Sequence, residues 1–354
     1  MSDRLFSYAL MEESQSEPDE RRVAFYKRTR HVAAVTRRVS EKDIRDLLGL
    51  GGAAVAAILP SRVWLPFGRV ASTLRYGRKH RKGYAAFAEA MRWVLGIDDE
   101  AACEALFRRY LEYLVRRQLM FTVDELARRR NPTIEVAGTE ALRAALDRGK
   151  GAIVWASPFV FQTLAGKRAL WEQGFRPIQI SDPHHGFSGT AFGNVSINPL
   201  LRRAEERYLK QRITFEPGSG ATVTRKIVSL LDRGELILLT NNVHAGSMFV
   251  EMRFGERGHI SMPTGPLSIV ARRATPFFSM AIRETAPFER MEAVIEPIED
   301  ASPARAEGRA ASRDYGRMAQ LALVARDNLL AQFRLAPDQY LGVAGLGRSK
   351  LETR

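Results

Sequence analysis

Residues 151–162, GAIVWASPFVFQ, decide the fold. Gly151-Ala152-Ile153-Val154-Trp155-Ala156 is a short apolar run closed by Ser157-Pro158, which marks a buried strand, and a helix is expected from near Gln162 to Gln173. The same alternation continues on both sides. Upstream, Thr133–Val136 reads as a strand and Thr139–Leu146 as a helix ending at Gly149. Downstream, Arg176–Ile180, Ile213–Phe215 and Leu236–Thr240 read as extended, separated by helices over Arg202–Lys210 and Ala221–Arg233. Strands alternating with helices predict an α/β fold: a central, mostly parallel sheet flanked by helices. In such sheets ligands bind in loops at the carboxyl ends of strands. Here those are Ser157–Gln162 (SPFVFQ), Ser181–Pro199 and Asn241–Gly246 (NNVHAG), with Arg253–Pro266 after a hairpin-like Met248–Met252.

Around this α/β segment, assigned to 131–300, the chain divides into a polar arm (1–40), a helical basic region (41–130), and a linker with a C-terminal helix (301–354). Residues 1–40 mix charges densely and are expected to form a mobile arm or exposed helix. Ala301–Arg313 reads as a linker and Tyr315–Phe333 as an amphipathic helix. The 354 residues correspond, at roughly 150 per domain, to two domains or one large α/β domain with extensions. A 45% hydrophobic and 27% charged composition excludes a fully disordered or collagen-like chain. The single cysteine, Cys103, excludes an intramolecular disulfide and a cysteine-rich zinc site, and it lies outside every motif. No metal is expected: His184-His185 adjacent in a loop do not make ligand spacing.

Lys and Arg number 54 against 40 Asp and Glu, a net charge of +14. That excess favours a polyanion: nucleic acid, acidic lipid headgroups or an acidic protein. Arg75–Lys82 (RYGRKHRK) is the densest cationic stretch, read as a solvated loop between helices or as a contact to headgroups or an acidic carrier. Nucleic acid is disfavoured, because no aromatic platform or reading-head motif accompanies these cations. Leu47–Pro60 (LLGLGGAAVAAILP) is 14 residues of weakly polar sequence, short of the ~20 a spanning helix needs. It reads as a buried helix or turn, or as a segment lying in a membrane interface with Trp64 and Phe67.

Several stretches, in order, resemble the lysophospholipid acyltransferase superfamily, specifically its lipid A biosynthesis (lauroyl/myristoyl) acyltransferase branch. They are VAGTEALRAALDRGKGAIVWAS from Val136, SINPLLRRAEERYL from Ser196, LLDRGELILLTNNVHAGSMFVEMRFGE from Leu230, MPTGPLSIVARRATP from Met262 and APDQYLG from Ala336. The resemblance covers roughly residues 60–345. It implies a glycerolipid or lipid A acyltransferase-like fold, peripheral attachment to the cytoplasmic face of the inner membrane, and transfer of a fatty acyl group to an amphipathic acceptor. Acyl carrier protein or acyl-CoA would be the donor substrate and partner, with no cofactor. An anionic lipid surface, and a protein partner or homologous subunit, complete the expected contacts.

The catalytic signature departs from that family. Its members carry His, four residues, then an acid; the His is general base on the acceptor hydroxyl and the acid orients it. Here Ser157 and Gln162 occupy those positions with the spacing kept, and Asn242 stands for a further acidic residue. Neither serine nor glutamine replaces the lost acid–base chemistry. Either another group is the base, with His244, His184 and His185 as candidates, or the chain binds without transfer as a pseudoenzyme. His184-His185 read equally as a solvated loop pair, and His244 as a loop histidine bonded to backbone. Ser157 as nucleophile would need both a base and an oxyanion hole. By resemblance, Asn198 and Arg207 contribute to substrate binding, with a solvated helix cation as the alternative for Arg207. Thr264-Gly265 open a helix that binds an anion or is simply capped. Pro217-Gly218-Ser219-Gly220 reads as a helix cap, since it lacks a Walker lysine.

Overall fold

The computed structural model describes residues 6–14, 21–30, 38–181, 188–215, 220–241, 246–299, 314–349 and 351. Strands β1 (Phe6–Ser14) and β2 (Val23–Arg30) precede helices α1 (Glu41–Ile58), α2 (Trp64–Leu95) and α3 (Glu100–Leu126). The alternating part follows as β3 (Thr133–Ala137), α4 (Thr139–Asp147), β4 (Ala152–Ala156), a π-helical turn at Gln162–Gly166 and α5 (Lys167–Glu172). It continues as β5 (Ile178–Ser181), α6 (Ala191–Ser196), α7 (Asn198–Glu206), β6 (Gln211–Thr214), α8 (Gly220–Leu231) and β7 (Leu236–Thr240). The chain closes with β8 (Met248–Phe254), β9 (Gly258–Pro263), α9 (Gly265–Arg273), β10 (Phe277–Ala286), β11 (Arg290–Pro297) and α10 (Tyr315–Leu335).

The seven-stranded sheet runs β3-β11-β10-β4-β7-β5-β6, every pair parallel except β10–β11. β4 sits at its centre and is buried along its whole length, which is why its five residues are all apolar. Ile153 and Trp155 face a core shared with α2, α8, α9 and α10, while Ala152, Val154 and Ala156 face a second core with α4, α5 and α7. Gly138 enters α4 at φ +83°, where a Cβ would lie 1.9 Å from the Ile295 carbonyl oxygen, so the chain crosses β11 there only as glycine.

Two expectations are corrected and a third is sharpened. Within 1–40, the described residues are mostly strand rather than arm or helix: β1 and β2 extend a second sheet, β1-β2-β8-β9, all antiparallel. Val23-Ala24-Phe25-Tyr26 is buried there, and Tyr26 stacks on Phe249 at 5.5 Å. The surrounding charges conceal this four-residue apolar core in the sequence. Second, Arg75–Lys82 is the middle of the 32-residue α2 and not a loop. Third, 47–60 is both packed and exposed. Ala53, Ala56 and Ala57 let α1 approach Trp64, Leu119 and Val123, and the Trp64 indole N–H donates to the Ala56 carbonyl at 2.8 Å. The opposite face exposes Ile44, Leu47, Leu48, Val55 and Ile58, which recur at helical spacing. Among the described residues no helix is long and apolar enough to cross a membrane.

Candidate functional site

Ser157 follows β4 and Asn241 follows β7, neighbouring strands at the carboxyl edge of the sheet. Side chains two apart on a strand share a face, so Ile153, Trp155 and Ser157 align with Ile237, Leu239 and Asn241. The Asn241 amide N–H donates to the Ala156 carbonyl at 3.0 Å, and Asn241 Nδ2 reaches Ser157 Oγ at 3.4 Å, a long, weak bond. Both side chains are buried, and neither is a base. The two histidines among the described residues are engaged elsewhere. His80 stacks on Tyr84 and lies 3.5 Å from Glu104, and His259 donates its backbone N–H to Gly347 from β9.

The SPFVFQ loop is fixed by backbone. Ser157 N–H donates to Met280 O (2.8 Å), Val160 N–H to Gln339 O (2.7 Å) and Leu341 N–H to Pro158 O (2.8 Å). Phe159 packs edge-on to Tyr340 and Phe161 to Tyr113, anchoring the loop in both cores. Pro337-Asp338-Gln339-Tyr340 is therefore a brace for the loop, and Arg109 holds Asp338 at 2.6 Å. Gln162 does not meet Ser157. Its Nε2 lies 3.6 Å from Met280 Sδ, above Gly166, where a Cβ would sit 2.1 Å from Nε2. Its Oε1 is buried with no hydrogen-bond partner among the described residues. Below the loop, Lys167 and Arg212 both pair with buried Glu205, and burial depresses the Lys167 ammonium pKa.

Asn242, His184, His185 and His244 lie outside the described residues, as does 217–219. Asn198 is wholly internal: its Oδ1 accepts from Ser188 N–H (3.0 Å) and its Nδ2 donates to Ser188 O and Asn194 Oδ1 (both 2.8 Å). It holds the end of the loop after β5. α7 runs from the carboxyl edge back towards the start of β6, so Arg207 lies about 13 Å along the helix from Asn198. There it pairs with Asp124 (3.0 Å) and Glu125 of α3. Asp124 is fully buried and also accepts from Tyr208 OH (2.6 Å) and Asn131 Nδ2 (2.7 Å). Arg207 thus ties α7 to α3.

Thr264 and Gly265 open α9 on the wall of an apolar cavity of about 280 Å³. Trp155, Ile180, Phe215, Ile227, Leu239 and Ile269 line it. Trp155 and Leu239 place it beside the Ser157–Asn241 edge, on the same face of the sheet. Sequence reading did not find this cavity, because its walls come from β4, β5, β7, α8 and α9 together. Cys103 is buried and desolvation raises its thiol pKa, which makes it unreactive. Fold and site together define an α/β protein with an apolar cavity at the carboxyl edge of a mostly parallel sheet. No protein-family model matches the chain, and no curated protein matches it.

Proposed function

We propose that the protein binds a fatty acyl chain at a membrane surface, as an acyltransferase-like protein whose catalytic centre is silent. The observation that carries this reading is the apolar cavity beside a Ser157–Asn241 pair that holds no titratable group. A serine that accepts from an amide has no group among the described residues to take its proton, so general-base help, worth ~10²–10⁴ in rate, does not come from them. The exposed apolar face of α1 and the cations of α2 support peripheral attachment to an anionic membrane. An acidic acyl carrier or acyl-CoA suits the same charge.

The test is a chain-length series. Each methylene withdrawn into the cavity contributes ~0.8 kcal/mol, so affinity for monoacylglycerols should rise about fourfold per methylene and then level off when the cavity is full. Gly265→Leu and Val223→Trp project into the cavity wall and should abolish that rise with little change in Tm; a Cβ at Gly265 meets nothing within 4 Å. A flat series overturns the binding reading. Labelled acyl transfer from acyl-ACP or acyl-CoA to a lipid extract, lost in His244→Ala, His184→Ala or His185→Ala, overturns the silent centre and restores the transferase.

A further inference from the structure

The two sheets end in four edge strands, and three of them are blunted or covered. The outer side of an edge strand accepts another strand unless the edge is short, charged, bulged or covered. In the seven-stranded sheet the edges are β3, five residues with Glu135 at its centre, and β6, four residues with Arg212. In the antiparallel sheet β9 is covered. His259 N–H donates to Gly347 O at 2.7 Å, and Ser349 Oγ donates to buried Glu251 of β8, which fastens the C-terminal segment there. β1 differs from all three. Among the described residues it pairs only with β2, and at nine residues it is the longest edge strand. Its second half is blunted by the bulge between Leu10 and Glu12 and by the acids Glu12 and Glu13. Its first half, Phe6–Leu10 (FSYAL), holds no charge, no proline and no bulge. Leu10 is 50% exposed although it stands in register with the fully buried Tyr26, and Tyr8 packs edge-on against that ring at 5.6 Å. An apolar residue left half in water on an unblunted edge strand marks a surface for strand addition.

We infer that Phe6–Leu10 pairs antiparallel with the same five residues of a second copy of this chain, joining the two four-stranded sheets into one continuous sheet. The outer half of β1 is complementary to itself. With Tyr8 on the two-fold axis, Phe6 stands opposite Leu10 and Ser7 opposite Ala9. Apolar residues then meet apolar ones, small meet small, and Tyr8 meets Tyr8, the kinds of cross-strand pair that stabilise a sheet. No charge is opposed by its like, and Glu12 and Glu13 fall outside the five paired positions. A strand rich in charge gains nothing from this neutral edge, whereas a second copy matches it at every pair. The bulge ends the pairing at Leu10 and so fixes its register. Each copy offers one such edge, so the isologous contact closes at two chains. The pairing is independent of the acyl-chain reading.

The experiment is sedimentation velocity on the full chain, without lipid or detergent, over about 1–100 μM. The inference expects the mass to rise with concentration from 39.7 kDa to twice that value. Leu10→Lys puts an ammonium into each half of the contact and should raise the dimer Kd about tenfold or more. Its Tm at the lowest concentration should match wild type, because Leu10 is half exposed in the single chain. Tyr8→Cys should give a disulfide-linked dimer with copper phenanthroline, since the axis sets the two thiols opposite each other. Leu74→Cys, 82% exposed on α2, should not cross-link, and buried Cys103 does not compete. A single-chain mass at every concentration overturns the pairing; slow amide exchange at residues 8–10 of that monomer would show that the chain covers this edge itself. A dimer that survives Leu10→Lys and gives no Tyr8→Cys cross-link also overturns it, because such a dimer forms through another face.

Discussion

Asp43→Asn tests how the N-terminal helices are tied to the edge of the sheet. The Asp43 carboxylate is buried and accepts four bonds: Ser40 N–H at 2.7 Å, Ser40 Oγ at 3.1 Å, Ser188 Oγ at 2.5 Å and Thr190 Oγ1 at 2.9 Å. Ser40 precedes α1, whereas Ser188 and Thr190 begin the segment leading from the β5 loop into α6. One carboxylate thus caps α1 and fastens it to the chain beside the candidate site. Asparagine has nearly the same shape, with one oxygen and one NH2. If its oxygen meets Ser40 and Thr190, the Ser188 hydroxyl turns to accept from the NH2, so the loss is in strength and not in number. A bond to a charged acceptor contributes ~1.5–3 kcal/mol and a neutral one ~0.5–1.5, so three weakened bonds amount to about 3 kcal/mol.

At roughly 2 °C per kcal/mol for a chain of this size, the variant should melt about 6 °C below wild type by calorimetry at pH 7. Burial opposes ionisation of Asp43, but the hydrogen bonds outweigh it and hold the carboxyl below its usual range. A depressed folded-state pKa gives stability that is present above the ordinary aspartate pKa and is lost as pH falls through the folded value. The gap between wild type and variant should therefore be full at neutral pH and narrow below about pH 4. Equal melting temperatures at pH 7, or a gap that persists undiminished into acid, would refute the assignment of this carboxylate as the clamp.

Three further substitutions separate structural from chemical roles. Ser157→Ala removes one long contact to Asn241, so Tm and chain affinity should change by less than about 1 kcal/mol; a larger loss of affinity would return Ser157 to the chemistry. Arg207→Ala should cost about 1–3 kcal/mol in thermal unfolding by leaving buried Asp124 short of a donor, with the Kd for an acyl ligand unchanged. A raised Kd at constant Tm would restore the substrate-binding reading. Glu284→Ala strands the buried Arg116 guanidinium and should cost ~3–5 kcal/mol, whereas Arg116→Met with Glu284→Leu should cost far less; equal losses would show that the charge pair itself is not the cause.

The strands legible in the sequence were those whose apolar runs are bounded by turns: β3, β4, β5 and β7 fall close to their expected positions. β10 and β11 were not read as strands. Phe277–Ile282 is an apolar run broken only by Ser279, which periodicity alone does not distinguish from a buried helix segment. The pairing of β2 with β8 joins residues more than two hundred positions apart, beyond the reach of any local pattern. At the site, Ser157 was found because a turn after the first buried strand is a place where ligands bind. Its neighbour across the sheet is Asn241, at the end of the adjacent strand β7. Strand alternation contained that signal, since Asn241 shares a face with Ile237 and Leu239 just as Ser157 does with Ile153 and Trp155.

The net charge of +14 illustrates why a count is a weaker guide than a location. The side chains of Arg116, Lys167, Arg168 and Arg212 are buried: three pair with Glu284 or Glu205, and Arg168 donates to the Pro132 carbonyl and pairs with Glu172. These cations hold helices to the sheet and face no outside partner. In the RYGRKHRK stretch, Arg75 bonds Gln118 and Arg78 lies 3.4 Å from Glu41, so part of that density is spent on joining α2 to its neighbours. Arg81 and Lys82 remain exposed farther along α2, on the same helix as Val70 and Leu74, which are also exposed. Exposed apolar residues beside exposed cations suit a bilayer interface better than a nucleic-acid groove, because a phosphate backbone offers the apolar residues nothing to bury against. The excess charge therefore resolves into internal ties and an interface-like face.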